Sequence, residues 1–298
     1  MSRAWGPLLS ACVTVGCLPA DSRPTPGSVF VSAQPSEATR GGFTTADGWQ
    51  VRFESFLTAL GDVDLHDPDE DGDEPGPCNL YSETHYEKLF DFATAEGGKV
   101  GLVYGLGECS VEYRVRGPSE SALLGAGADS EDAALMRARG SDAYAEDERV
   151  ALLVRGVGLR DGVEKRFEWS FRRSFEVAKC SAESGDSPVS VVGLTGGAAI
   201  ELRIVVKGDE LFRVAPNDDA PIEFDRYAAA DADDDGNISF IELDAVPAEL
   251  SDEWPQEGLP ADEPDLEPFS LGTVVYELLL PRVTRLLGSG VCEARGRP

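Results

Sequence analysis

At 298 residues and 42% hydrophobic content, the chain is long enough for one large domain or two ordinary ones with a sizeable core. Its 55 Asp and Glu against 26 Lys and Arg give a formal net charge of -29 at pH 7. Such a field repels nucleic acid and anionic lipid, favours cations, and makes folding costly wherever carboxylates lack a counter-charge.

Residues 1–17 read as an export segment. Arg3 supplies a short positive region, and the mostly apolar run from Ala4 to Val15 carries no charge and is too short for a permanent membrane span. The run ends in small residues before a cysteine twice, as Leu9-Ser10-Ala11-Cys12 and Thr14-Val15-Gly16-Cys17. Both resemble the lipobox of bacterial lipoproteins. That resemblance implies removal of the leader and a diacylglycerol on the cysteine sulfur, expected at Cys17 with Cys12 as the alternative. It places the chain at the bacterial cell envelope, touching the membrane only through its anchor. Residues 18–42, rich in Pro, Ser, Thr and Gly, predict a flexible tether.

Residues 43–216 predict a β-rich domain. Ala46-Asp47-Gly48 is a turn signal, after which Trp49, Val51 and Phe53 alternate with polar residues. Val63 and Leu65 continue the pattern, as do Val100, Leu102 and Tyr104, then Val111, Tyr113 and Val115. Arg149 to Leu159 is a further apolar run. From Val163 to Val177, the residues Phe167, Trp169, Phe171, Phe175 and Val177 share one face, a core face rather than a ligand cleft. Val189 to Leu194 and Ile200 to Val206 flank Gly196-Gly197, a hairpin candidate. Many short runs of period two predict a mainly β fold, an antiparallel β-sandwich or barrel. Helices are expected at Tyr86 to Ala95 and at Ser130 to Arg139, the latter capped by Ser130. Cys78, Cys109, Cys180 and Cys292 contain no C-x-x-C pair and read as two disulfides. Three pairings are open, with Cys78–Cys109 and Cys180–Cys292 as the working one.

Residues 217–298 hold the most specific motif. Oxygen-bearing side chains stand at Asp231, Asp233, Asp235 and Ser239, with Glu242 closing a twelve-residue span, Gly236 at its sixth position and Ile238 at its eighth. This span resembles the EF-hand calcium loop. The resemblance implies that Asp231, Asp233, Asp235, Asn237, Ser239 and Glu242 hold one Ca2+, Asn237 by its carbonyl. Six to eight oxygens at roughly 2.3–2.6 Å require such coiled backbone. Ile222 to Ala230 would enter the loop and Phe240 to Val246 would leave it. Glu223 and Arg226 weaken the docking face of the first helix, and no second complete loop is present to pair at Ile238. Leu271 to Leu287 predicts a final helix kinked at Pro281.

Other sites are thinner. The run 67–73 opens like a second calcium loop, but Glu74 and Cys78 replace its aliphatic and closing residues. His66 and His85 would serve an alternative function, a periplasmic transition-metal carrier. A calcium-dependent hydrolase is the other alternative, but no G-x-S-x-G occurs and no carboxylate pair stands out. The reading favoured is a calcium-binding lipoprotein whose single loop stabilises a β-rich binding or structural module, not an enzyme, with its protein or glycan partner unspecified.

Overall fold

Alternating apolar residues build two β-sheets that share one core. The computed structural model describes residues 23–68, 78, 81, 86–141, 148–181, 188–248, 269–288 and 290–296. In chain order the strands are β1 (Gly27–Pro35), β2 (Phe43–Thr44), β3 (Gln50–His66), β4 (Glu87–Asp91), β5 (Gly98–Gly105), β6 (Gly107–Arg116), β7 (Leu123–Leu124) and β8 (Leu152–Arg160). They continue as β9 (Val163–Phe171), β10 (Phe175–Ser181), β11 (Val191–Leu194), β12 (Ala199–Val206), β13 (Asn237–Ser239), β14 (Thr284–Leu286) and β15 (Val291–Gly296). The smaller sheet runs β14-β12-β1-β5, and the larger runs β13-β9-β8-β3-β6-β10-β15 with short strands attached to β3, β4 and β6. The fold is mainly β and sandwich-like. Its sheets are mixed rather than purely antiparallel, because β1 pairs β12, β4 pairs β7 and β13 pairs β9 in parallel.

The core joins Val29, Val31, Val103 and Ile204 of the smaller sheet to Phe53, Leu65, Tyr113 and Trp169 of the larger. The approach is close where β5 crosses β3: a Cβ on Gly101 would stand 2.6 Å from Val63 Cγ2, so only glycine fits. The outer face of the larger sheet has its own small core. There Leu57, Ala59, Leu89 and Leu153 are covered by Ala133 and Met136 of the helix Ser130–Arg137. Two disulfides, Cys78–Cys109 and Cys180–Cys292, match the working pairing, and their presence fits folding in an oxidising compartment.

Several expectations are corrected. Residues 27–35 are not tether but a central strand, because Val29, Val31 and Ala33 alternate inward between less buried neighbours. Residues 37–41 then form a short helix capped by Ser36, which accepts from Thr39 N. The helix expected at Tyr86 to Ala95 is β4, whose residues Glu87 to Asp91 pair with Leu57 to Gly61 of β3. Asp129 rather than Ser130 caps the next helix, exchanging backbone and side-chain hydrogen bonds with Asp132. The run Val163 to Val177 breaks after Phe171 into two strands that are not neighbours. Gly196-Gly197 makes no hairpin: β11 pairs β6 in one sheet while β12 pairs β1 and β14 in the other.

The final kinked helix is also revised. Leu271–Thr273 is α-helical, Val274–Leu279 widens to a π-turn, and Leu280–Val283 tightens to a 3-10 turn carrying Pro281. The chain then becomes β14, which joins the smaller sheet beside β12. Cys12, Cys17, His85 and most of the 67–73 run lie outside the described residues, as does most of the linker from 248 to 268. Among the described residues no helix is long and apolar enough to cross a membrane.

Beneath this segment lies a buried ion cluster. Glu210, wholly buried on the 3-10 turn Gly208–Phe212, accepts from Arg213 Nε at 2.9 Å, Arg282 Nε at 3.2 Å and Arg285 Nη2 at 3.3 Å. Asp218 takes Arg285 Nη2 at 2.6 Å and also contacts Arg282. Burial alone would raise the Glu210 pKa, but Arg285, Arg213, Arg282 and Lys207 outweigh it and hold the carboxyl below its ordinary range.

Candidate metal centre

The 231–242 loop is fixed at both ends by the body. Before it, Ile222 to Ala230 narrows to a single α-helical turn, Asp225–Ala228. Its docking is strong, against expectation. Phe224 and Tyr227 are fully buried against Phe212, Phe167, Trp169 and Trp49. The polar residues serve the backbone instead. Asp47, in the turn before β3, accepts from Phe224 N at 2.7 Å and Asp225 N at 2.6 Å, satisfying donors that a helix start leaves unpaired. Asp225 in turn accepts from Trp49 Nε1 at 2.8 Å and pairs with Arg160 at 2.6 Å. Arg226 lies over the Tyr227 ring and donates to the Arg213 carbonyl.

Within the loop, side chains hold the coil by local hydrogen bonds. Gly236, at φ 86°, occupies the left-handed region that its position requires. Gly236 N donates to Asp231 Oδ2 at 2.9 Å, Asp235 N to Asp233 Oδ1 at 3.2 Å, and Asn237 N to Asp235 Oδ1 at 2.6 Å. One carboxylate oxygen from each of Asp231, Asp233 and Asp235 lies within 4.8 Å of the other two, and no other set of three ligating groups does so among the described residues. Asp231 is buried while its companions are exposed, and its Oδ1 has no hydrogen-bond partner. A buried, unpartnered carboxylate oxygen is costly unless a cation meets it.

Glu242 is placed differently. Its Oε1 accepts from Ala232 N at 3.2 Å, and its Oε2 accepts from Ser239 N at 2.7 Å and Ser239 Oγ at 2.8 Å. It therefore ties the end of the loop to its beginning and forms a capping box with Ser239 on the helix Phe240–Ala245. The structure brings together three of the six expected ligand residues and keeps Glu242 on cap duty.

The missing second loop has a substitute. Ile238, wholly buried, lies in β13 and pairs in parallel with Phe167 of β9, so the edge of the larger sheet takes the place of a partner loop. Arg166 N donates to the Gly236 carbonyl at 2.8 Å, and Trp169 Nε1 to the Ile238 carbonyl at 2.9 Å. β9 also sends Lys165, whose Nζ lies 2.5 Å from Asp231 Oδ2. This hydrogen bond comes first among the causes that hold the Asp231 carboxyl below its ordinary pKa, and the Gly236 N–H adds to it while burial opposes it. Lys165 escaped sequence reasoning, though a signal existed. It shares parity with Phe167 and Trp169, and a lysine on the inward side of a strand calls for an acidic partner.

His66, at the end of β3, lies in a cleft of about 610 Å³ with Asp67, Glu112, Glu176, Lys179 and Arg295. Its Nε2 is 3.5 Å from Glu112 Oε2. Burial raises the Glu112 pKa, with Glu176 adding to the rise and His66 and Arg295 opposing it. These groups do not converge on a point as the three aspartates do.

Comparison with family models, with curated proteins and with solved structures returns no match for this chain.

Proposed function

We propose that this chain is a calcium-binding protein of the bacterial cell envelope in which the 231–242 loop stabilises a β-rich binding or structural module. The observation that carries the reading is Asp231: its side chain is buried, its Oδ1 is unpartnered, and one of its carboxylate oxygens lies within 4.8 Å of one each from Asp233 and Asp235. Asp231, Asp233 and Asp235 would hold the ion, with Asn237, Ser239 and Glu242 as the further donors that the loop's resemblance implies. Hard carboxylate and carbonyl oxygens suit calcium rather than a transition metal. The loop is also the last strand of a sheet, so an ion held there secures β13 on β9 and the helix Phe240–Ala245 beyond it. That helix contacts the C-terminal segment directly, since Ser270 Oγ donates to Asp244 Oδ1 at 2.9 Å. The oxidising compartment indicated by two disulfides agrees with export, and the lipobox-like cysteines, Cys17 or Cys12, would supply the anchor.

A single extracytoplasmic site of this kind binds calcium with a dissociation constant on the order of 10⁻⁴–10⁻³ M. Calorimetric titration of wild type beside Asp231→Asn tests the assignment. We expect near one equivalent in wild type and an affinity weaker by at least roughly tenfold in the variant, which loses a charged ligand. Equal binding by both proteins would remove the loop as the site.

A further inference from the structure

The loop carries five carboxylates within twelve residues, on Asp231, Asp233, Asp234, Asp235 and Glu242. A cation from outside the loop already stands among them. Lys165 Nζ is 2.5 Å from Asp231 Oδ2 and 3.3 Å from Asp234 Oδ1. The lysine side chain is 14% exposed and that of Asp231 is 0% exposed, so solvent and salt screen this pair far less than a surface pair. Its position is fixed by backbone. β9 is hydrogen-bonded to β13 through Arg166 and braced by Trp169, which keeps the ammonium over the loop. Lys165 and Gly236 N both bond Oδ2 while Oδ1 has no hydrogen-bond partner, so the lysine leaves one oxygen of Asp231 available to a second cation.

We propose that Lys165 is a built-in counter-cation that sets the loop's response to calcium. By neutralising Asp231 and Asp234 it keeps the ion-free loop folded against β9, and by the same charge it weakens the loop's attraction for a divalent cation. The proposal rests on the calcium reading of the loop. Its consequence is a preformed site of reduced affinity, tuned to a calcium-rich exterior.

The test is calorimetric titration with calcium, together with melting in chelator, for wild type, Lys165→Met and Lys165→Arg. We expect Lys165→Met to bind calcium roughly three- to tenfold more tightly, as removal of one nearby positive charge implies at high effective dielectric. It also melts at a lower temperature in chelator and gains more from added calcium. Lys165→Arg keeps the wild-type affinity. Lys165→Gln removes the charge while retaining a donor for Asp231, and it carries the test if the methionine variant does not fold. Calcium binding by wild type with equal or weaker binding by the charge-removing variants overturns the proposal and makes Lys165 a brace for Asp231. Absence of binding in wild type and all variants overturns the calcium reading itself and this proposal with it.

Discussion

Glu210→Gln is expected to lower the free energy of unfolding by about 3–5 kcal/mol, the usual cost of removing one partner from a buried charge cluster. The carboxylate is wholly buried and meets Arg213, Arg282 and Arg285, so the amide leaves Arg282 and Arg285 with Asp218 as their ion-pair partner and Arg213 on the carbonyls of Asp218 and Ala220. Urea denaturation of both proteins at neutral pH measures the loss. The same cluster sets a pH dependence. Because the folded Glu210 pKa is depressed, its contribution is fully present above the ordinary glutamate value, about 4.3, and drains away as pH falls through the lower folded value. The gap between wild type and Glu210→Gln therefore narrows in acid. A gap that stays constant, or a variant as stable as wild type, would show that the cluster does not hold the C-terminal segment down.

The second large effect concerns the disulfide across 112 residues, Cys180–Cys292. Replacing both cysteines by serine is expected to cost about 4–5 kcal/mol in the chain-entropy account, more than the about 3–4 kcal/mol for Cys78–Cys109. The two loops differ in length by 112 against 31 residues. The loss has a local component, since β15 is an edge strand paired with β10. Hydrogen exchange in β15 should accelerate before exchange in β3 or β6. Equal costs for the two double variants would contradict the loop-length argument.

The β-character was legible because period-two alternation needs only the two faces of a strand. It failed where composition masked it. Val29, Val31 and Ala33 alternate inside a Pro- and Ser-rich stretch, and composition suggested a tether where burial makes a central strand. Sheet membership was not legible, because Gly196-Gly197 can close a hairpin or carry the chain between sheets, and only distant partners decide. The three loop aspartates were legible from spacing, since each ligand position follows from local backbone. What surrounds them was not. Ile238 finds its partner on β9, about seventy residues away in sequence, and Lys165 comes with that strand. Likewise the polar residues that weakened the first helix on paper, Glu223 and Arg226, left Phe224 and Tyr227 to dock it.

Thermal unfolding in chelator and in millimolar calcium, for wild type beside Glu242→Gln, tests whether calcium in the 231–242 loop stabilises the fold. The glutamine removes the charge and retains one oxygen for the Ser239 capping box, losing only the acceptor that Ala232 N uses, so most of the cap is kept while the charged ligand is lost. At calcium tenfold above its dissociation constant, mass action stabilises wild type by roughly 1.4 kcal/mol, which raises the melting temperature by a few degrees. If the 231–242 loop holds the ion, wild type shows that rise and Glu242→Gln loses nearly all of it. An equal rise in both proteins would assign the effect to the acidic surface at large, and no rise in either would show that calcium does not stabilise this fold.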